Sequence, residues 1–363
     1  MGIRADQFEK TVFGLKSRTD VLHIAFFAAL LLLPTLGTTG TEVATSTAKG
    51  GEKVVIDTDI GTDIDDAFAV ALALRSPELN ILGFTTSAGD TEARAKILDR
   101  MLGEVGRQDI PVLVGTPTAL PHNIAPIGRQ TRYGETGRGR FVRASSHPGA
   151  AEFIIDQIRR APGEITLIAI GPLTNVAAVI DKDPKALRDL KRLVIMGGWL
   201  KPIDTGTFFT SGPTGPAVEY NVMCDILAAQ KVFKSGVKVD VIPFDSTVGL
   251  KLDEVKRSAL FAQGTRLTDA LGILYLMAGI ATPTMYDPMT LAYVLDPRLC
   301  PIQPMHIQVD NEGLTTIGNG DPNAAACLHS NADAFFDFYM ARVARPDSAL
   351  EERVSSSRKV ATF

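Results

Sequence analysis

The stretch from residue 54 to residue 74 reads VVIDTDIGTDIDDAFAVALAL and joins an apolar run, an acidic turn and a second apolar run. Val54, Val55 and Ile56 are β-branched, which is typical of a buried strand. After Asp65 and Asp66 the next eight residues are small or apolar, which favours a helix at Asp65–Leu74. A strand, a loop and a helix in this order are the opening unit of a parallel α/β sheet.

The same alternation continues along the chain. Further strands are predicted at Ile81–Thr86, Val112–Val114, Ile165–Ile170, Leu193–Met196 and Val239–Ile242, and helices at Thr91–Val105, Pro148–Arg160, Leu173–Ile180 and Asp225–Lys234. Nearly continuous apolar strands separated by helices indicate a sheet covered on both faces. The sequence therefore predicts a mostly parallel, doubly wound α/β fold in a single domain over residues 51–363. The long stretch Gly115–His147, which is rich in Gly, Pro and Arg, is predicted to be a lid or a binding loop.

Composition excludes several classes of protein. With 45% apolar and 21% charged residues among 363, the chain is neither disordered nor a multi-span membrane protein. Its 37 basic and 41 acidic residues give a net charge of −4, so no nucleic-acid partner is expected. The three cysteines, Cys224, Cys300 and Cys327, have no metal-ligand spacing and are expected to be buried thiols.

The N-terminal 50 residues differ from the rest of the chain. Ten apolar residues run without interruption from Ile24 to Leu33, and small residues suited to signal-peptidase cleavage follow at Ser46–Ala48. This run is too short for an ordinary membrane span of about 20 residues. Residues 1–50 are predicted to be a signal peptide or anchor with a flexible linker, and the protein to be exported to the periplasm or secreted. An uncleaved anchor at residues 22–36 and a disordered cytoplasmic extension are the alternatives.

The turn after the first strand has the composition of a metal site. Asp57, Asp59, Asp63, Asp65 and Asp66 lie within ten residues, and so many like charges repel one another unless a cation lies among them. Every candidate ligand is an oxygen, and oxygen ligands favour Ca²⁺ or Mg²⁺ over zinc. The alternative is a solvated turn in which Asp65 caps the helix.

Six motifs in order along the chain make it resemble the inosine-uridine-preferring nucleoside hydrolases. They are residues 57–67 (DTDIGTDIDDA, with two residues more than the family's DTDxGxDDA), 85–90 (TTSAGD), 171–175 (GPLTN), 196–198 (MGG), 219–221 (EYN) and 287–288 (DP). Any one motif is weak, but their order and spacing together are specific. The resemblance implies hydrolysis of the N-glycosidic bond of ribonucleosides with bound Ca²⁺. It also implies a nucleoside as the partner and a homo-dimer or homo-tetramer.

The resemblance also implies the metal ligands and the base. Asp59 would contact Ca²⁺ and act as general base toward the attacking water on that ion. The other ligands would be Asp66, Asp287 and the backbone carbonyl of Ile170. Because of the two extra residues in the first motif, either Asp63 or Asp65 could bind the sugar beside these ligands, and we assign that role to Asp65.

The sugar contacts follow from the same resemblance. Asp65 and Asn221 would bind the 2′ and 3′ hydroxyls of ribose, Glu219 the 5′ hydroxyl, and Met196 would pack against the ring. Asp90, where the family often has Asn, is placed near the sugar as well. Asp57 and Asn175 are expected to be structural residues of the turns.

Two departures from the family's pattern bear on activity. An Asn that reaches the ribose in many members corresponds here to Pro213, which has no side-chain hydrogen bond to offer. A His before the last aspartate in many members is replaced by Tyr286, a weaker acid at neutral pH. Tyr286 is either the acid that protonates the departing base or an aromatic residue packed near the site.

Two other functions are compatible with parts of the sequence. The departures at Pro213 and Tyr286 would suit a non-catalytic nucleoside- or sugar-binding protein on the same fold. Asp57 and Asp59 after an apolar strand superficially fit a haloacid-dehalogenase-type phosphatase, although the later lysine and paired acids of that family are not evident. Release of ribose or of phosphate from a substrate panel distinguishes these functions.

Overall fold

The structure is a computed structural model that describes residues 50–118, 128–136, 149–201 and 218–346. All of these described residues belong to one compact unit. The predictions for the leader and for Pro213 lie outside the described residues, so the domain boundary near residue 50 stays a prediction. Within the described ranges, no helix has both the length and the apolar character needed to cross a membrane.

A single nine-stranded sheet organises the described residues. Its strands in chain order are β1 (Glu52–Thr58), β2 (Leu79–Thr86), β3 (Val112–Val114), β4 (Ile165–Ala169), β5 (Arg192–Met196), β6 (Val239–Ile242), β7 (Ile302–Val309), β8 (Thr315–Gly318) and β9 (Ala324–Cys327). They are ordered β3-β2-β1-β4-β5-β6-β9-β7-β8 across the sheet. β7 runs antiparallel to both of its neighbours and the other pairings are parallel.

Helices cover both faces of the sheet. They are α1 (Asp65–Leu74), α2 (Thr91–Glu104), α3 (Thr131–Glu135), α4 (Ala150–Arg160), α5 (Thr174–Lys182), α6 (Tyr220–Cys224), α7 (Ile226–Lys234), α8 (Phe244–Thr247), α9 (Glu254–Phe261), α10 (Arg266–Ala278), α11 (Tyr286–Leu295) and α12 (Ala332–Val343). One hydrophobic core holds α1, α2 and α9 to α12, and the other holds α4, α5 and α7. The predicted doubly wound α/β class is confirmed.

The alternation of side chains along β1 shows how one strand serves both cores. Val54 and Ile56 belong to the first core, whereas Val55, between them, belongs to the second. Successive side chains of a strand point to opposite faces, so a run without polar residues is required at this position.

The prediction about the cysteines is wrong for two of the three. Cys300 and Cys327 form a disulfide that links the segment after α11 to the end of β9, while Cys224 is a buried free thiol. Their separation of 27 residues gave no sign of pairing, because the antiparallel register of β7 and β9 is what brings them together.

The order of the strands creates a crevice at the centre of the sheet. The chain proceeds outward from β1 through β2 to β3, and then returns to place β4 on the other side of β1. At such a reversal the loops after the two central strands diverge, and ligands of α/β proteins bind there. The predicted acidic turn follows β1 and Ile170 follows β4, so both lie at this crevice.

Candidate active site

Three carboxylates converge in the crevice. Asp65 and Asp66 begin α1, Asp287 lies in the first turn of α11, and one oxygen from each lies within 4.8 Å of the others. All three are buried, and burial followed by repulsion from neighbouring carboxylates raises their pKa values well above the ordinary range. The cluster is therefore a site that could bind a metal ion.

Asp59 lies beside this cluster. Its pKa is raised to about 6 by burial, which outweighs the lowering effect of the Arg94 guanidinium. The negative charge of Asp59 in turn raises the pKa of Asp66 and of Asp287, which places all of them at one crevice. The structure thus groups Asp65 with Asp66 and Asp287, where the resemblance implied Asp59.

The loop after β4 leaves room for Asp59 because residue 171 is glycine. A Cβ on Gly171 would lie 2.9 Å from Asp59 Oδ1 and 2.7 Å from Ser87 Oγ, closer than real Cβ contacts. Ser87 Oγ is buried and has no hydrogen-bond partner among the described residues. The glycine at residue 171 therefore lets the Asp59 and Ser87 side chains lie against the loop after β4.

The two extra residues of the first motif are accommodated within the turn. Ile64 is fully buried in the first core, and Asp63 Oδ1 accepts a hydrogen bond from its N–H at 2.6 Å. Burial raises the pKa of Asp63, against the nearby positive charge of Lys251. Because the insertion is absorbed before α1, Asp65 keeps its position at the start of that helix, and Asp63 lies outside the three-carboxylate cluster.

Part of the predicted lid packs on this turn. Residues 128–136 contain α3, and the N–H of Gly128 donates to the carbonyl of Gly61 at 3.1 Å. Gln130 Nε2 donates to the carbonyl of Asp63 at 2.8 Å. Residues 119–127 and 137–147 of the predicted lid lie outside the described residues.

Asp57 and Asn175 hold the ends of the strands together, as expected of structural residues. Asp57 Oδ1 accepts hydrogen bonds from Thr85 Oγ1 at 2.5 Å and from Asn175 Nδ2 at 2.7 Å. Asn175 Nδ2 also donates to the carbonyl of Thr86 at 2.9 Å. Burial raises the pKa of Asp57 to about 7. These contacts fix the relative positions of the loops after β1 and β2.

The predicted sugar contacts lie at the ends of β4 and β5. Asn221 Nδ2 donates to the carbonyl of Ile170 at 3.2 Å and to that of Met196 at 3.1 Å. Glu219 accepts hydrogen bonds from the N–H groups of Asn221, Val222 and Gly198 at 2.9 to 3.1 Å, while burial raises its pKa. Asn221 therefore contacts the same carbonyl that the resemblance implied as a metal ligand.

Asp90 is placed differently from the other predicted residues. It is exposed, and its Oδ1 accepts a hydrogen bond from the N–H of Ala93 at 2.9 Å as the N-cap of α2. Its polar contact in the structure is thus explained by helix capping.

An aromatic cluster flanks the acidic residues. Phe244 stacks on Tyr286 with ring centroids 5.6 Å apart, and Trp199 lies 4.8 Å from Phe244. Burial and the negative charges of Asp65, Asp63 and Glu219 raise the pKa of Tyr286. The hydroxyl therefore holds its proton more tightly than a free tyrosine. Trp199 and Phe244 were missed from the sequence, although Trp199 directly follows the MGG motif.

Comparisons with known proteins point to one family. The family described as inosine-uridine preferring nucleoside hydrolase matches residues 54–337. Uridine nucleosidase 1 of Arabidopsis thaliana is 31% identical over 278 residues, covering 72% of this chain and 80% of its own length. The pyrimidine-specific ribonucleoside hydrolase RihA of Citrobacter koseri is 29% identical over 317 residues, covering 80% of this chain and 97% of its own length. A solved plant nucleoside hydrolase superimposes with a TM-score of 0.71 at 26% identity, covering 81% of this chain and 99% of its own.

Proposed function

The chain belongs to the inosine-uridine preferring nucleoside hydrolases, and from that premise we propose a Ca²⁺-dependent cleavage of the ribonucleoside N-glycosidic bond in which Asp59 is the general base. The observation that carries the proposal is the convergence of Asp65, Asp66 and Asp287 at the central crevice of the sheet, with the charge of Asp59 acting on Asp66 and Asp287. Hydrolysis of a nucleoside requires an activated water, a ribose held while positive charge develops at its anomeric carbon, and a departing base.

The donor set fits a hard divalent cation. We propose that Asp59, Asp66, Asp287 and the Ile170 carbonyl hold Ca²⁺, because Ca²⁺ takes six to eight oxygen ligands and these four are oxygens. When bound, the ion supplies Lewis-acid activation of the attacking water. The ion would also relieve the repulsion that raises the pKa values of the clustered aspartates.

The residues of this chain then have separate roles toward the substrate. Asp59 accepts the proton of the attacking water. Asp65 and Asn221 bind the 2′ and 3′ hydroxyls, Glu219 binds the 5′ hydroxyl, and Met196 lies against the sugar. The buried carboxylates stabilise the positive charge that develops on the ribose in the transition state. Asp90 is a candidate for a further ribose contact, although it is exposed in the structure.

The substrate class is tested with the purified full chain and a panel of uridine, cytidine, inosine and adenosine, together with a p-nitrophenyl phosphate control. Since two of the relatives are named for uridine and pyrimidine ribonucleosides, we propose uridine as a substrate. Free ribose without free phosphate is expected. Binding without turnover would indicate the non-catalytic alternative, and phosphate release would indicate a phosphatase.

Metal dependence is tested on the same protein. Chelation should lower both turnover and the melting temperature, because a ligand that binds only the folded state stabilises it. Ca²⁺ should restore both, and Asp66→Ala should reproduce the chelated state. Full activity after verified removal of metal would refute this part of the proposal.

We also propose that the protein is exported and that it acts as a homo-dimer or homo-tetramer. The disulfide between Cys300 and Cys327 supports export, because structural disulfides form and persist in oxidising compartments. Fractionation of cells that express the full chain should find the protein outside the cytoplasm or bound to the membrane. Light scattering on the purified protein measures its oligomeric state.

A further inference from the structure

A buried arginine lies behind the proposed general base. Arg94 is in the first turn of α2, and its side chain is 0% exposed. An isolated buried charge is costly, so such a residue needs hydrogen bonds and a counter-charge. Arg94 makes four hydrogen bonds to the loops at the crevice, and the Asp59 carboxylate provides a counter-charge.

Arg94 joins the loops that follow the first two strands. Its Nη1 donates to the carbonyls of Asp59 and of Ile60, the latter at 3.1 Å, and to Thr62 Oγ1 at 3.0 Å. Its Nε donates in the other direction, to the carbonyl of Ala88 at 2.7 Å. One planar guanidinium therefore connects the turn that carries Asp59 to the loop after β2.

The loop after β2 is held in an unusual conformation at this contact. Ala88 has a φ of +65°, in the left-handed region that residues other than glycine rarely adopt. Its carbonyl accepts the bond from Arg94, so the contact helps to retain a backbone conformation that alanine disfavours.

The second nitrogen of the guanidinium faces the carboxylate. Arg94 Nη2 is buried, has no hydrogen-bond partner among the described residues, and lies 3.9 Å from Asp59 Oδ2. This distance is too long for a hydrogen bond but close enough for strong charge attraction. Arg94 thus holds the backbone of Asp59 and also attracts its side chain.

Resting on the proposed function, we propose that Arg94 is a positioning residue that aims the Asp59 carboxylate at the attacking water by joining the loops after β1 and β2. Because Arg94 is inaccessible from the crevice, it does not itself touch a bound nucleoside. Its removal should therefore lower the rate of the chemical step and leave substrate binding unchanged.

Two variants separate charge from geometry. Arg94→Lys keeps the positive charge but loses the planar guanidinium. The ammonium group of lysine cannot donate to acceptors in both loops at once. Arg94→Met removes the charge as well. Arg107→Lys is the matched control, because Arg107 pairs with Asp109 on the exposed surface after α2. If Arg94→Met does not fold, the result for Arg94→Lys alone decides whether the inference holds.

Steady-state kinetics on uridine give the first readout. Misplacement of a catalytic group by about 1 Å can cost about 10²-fold in rate, so kcat should fall by about 10²-fold in Arg94→Lys with KM unchanged. Hydrogen exchange of the backbone amides in the metal-free protein gives the second readout. Exchange should rise in peptides covering 58–62 and 87–90 and stay unchanged in 332–343.

The outcomes are decisive in both directions. A folded Arg94→Lys with the kcat of the parent, or one with unchanged exchange in the two loops, overturns the inference while the proposed function stands. A rise in KM with constant kcat also overturns it, because it would mean a role in binding. A parent protein that is inactive on every riboside refutes the proposed function and the positioning role of Arg94 together.

Discussion

The backbone N–H of Asp287 donates a hydrogen bond to Oδ2 of Asp65 at 3.3 Å, between residues that are 222 positions apart in the chain. The bond joins the first turns of α1 and α11, so two helix N-termini face each other at the acidic cluster. The partial positive charge of each helix N-terminus offsets part of the repulsion among the carboxylates. A divalent cation would offset the remainder.

This contact leads to different expectations for two adjacent aspartates. Asp66 accepts a hydrogen bond from Thr58 Oγ1 and is a proposed metal ligand, whereas Asp65 is the proposed ribose contact. Asp66→Asn should abolish Ca²⁺ binding measured by calorimetry. Asp65→Asn keeps an oxygen to accept the Asp287 N–H and should retain Ca²⁺ binding. Its kcat/KM for uridine should fall about 10- to 100-fold, the value of a hydrogen bond to a charged group.

Each substitution is the control for the other, because both replace a buried carboxylate by its neutral isostere in the same helical turn. Loss of Ca²⁺ from Asp65→Asn to the same extent as from Asp66→Asn would make Asp65 a metal ligand. That result would assign the ribose hydroxyls to another residue.

The stability of the metal-free protein should depend on pH in the opposite sense to ordinary acid denaturation. The folded protein raises the pKa of Asp57 to about 7 and that of Asp59 to about 6, above their unfolded values. A raised pKa means that the folded state binds more protons, so stability is greatest below the unfolded pKa and is lost as pH rises through the folded pKa. The melting temperature of metal-free protein should therefore decrease between about pH 4 and pH 7.

Added Ca²⁺ provides the comparison for this measurement. Metal binding favours the ionised carboxylates, so the decrease should become smaller when Ca²⁺ is present at the higher pH values. A metal-free melting temperature that rises steadily from pH 4 to pH 7 would contradict the raised pKa values of these aspartates.

The sequence predicted the central half of the fold with good accuracy because its strands are buried on both faces. β3, β6 and α1 have the predicted bounds, and β1, β2 and β5 differ only by the residues that extend them at their ends. The antiparallel β7, β8 and their neighbour β9 were not predicted. Only Ile307 and Val309 of β7 are buried, and the strand contains Pro304 and His306, so it lacks a continuous apolar run.

Site residues could be predicted where they are close together in the sequence. They could not be predicted where residues from distant loops come into contact only in the folded chain. Asp65 and Asp66 are adjacent in the acidic turn, and Asp287 was found only because its motif resembles the family. Arg94 gave no signal, since its place among Glu and Lys residues of α2 is typical of an exposed face. Only the packing of α2 against the loops after β1 and β2 reveals its burial.

Replacement of the proposed general base should separate activity from stability. Asp59→Asn keeps the shape of the side chain but removes a buried negative charge that raises the pKa of its neighbours. Turnover should be abolished for nucleosides and for p-nitrophenyl riboside alike. The melting temperature of the metal-free variant should be no lower than that of the parent. Activity retained in Asp59→Asn would require a different base.

Tyr286 offers a test of how the base departs. General acid catalysis contributes about 10²- to 10⁴-fold in rate, and nucleobases are poor leaving groups without a proton. Tyr286 stacks on Phe244 and lies near Asp65. Burial and the negative charge of Asp65 raise the pKa of Tyr286, so its hydroxyl is a poor proton donor. We therefore expect slow turnover of ordinary nucleosides but efficient cleavage of p-nitrophenyl riboside, whose leaving group departs unprotonated.

Tyr286→Phe tests this expectation, with Tyr293→Phe as the control on the same helix. Phenylalanine retains the stacked ring of Tyr286 and removes only the hydroxyl, so kcat/KM should fall for uridine and inosine and stay unchanged for p-nitrophenyl riboside. Tyr293 donates its hydroxyl to Asp240 Oδ2 at 2.9 Å, and its replacement should not discriminate between the two kinds of substrate. Equal losses on both kinds of substrate for Tyr286→Phe would show that Tyr286 packs or positions ribose and is not an acid, because an acid is needed only when the leaving group requires a proton.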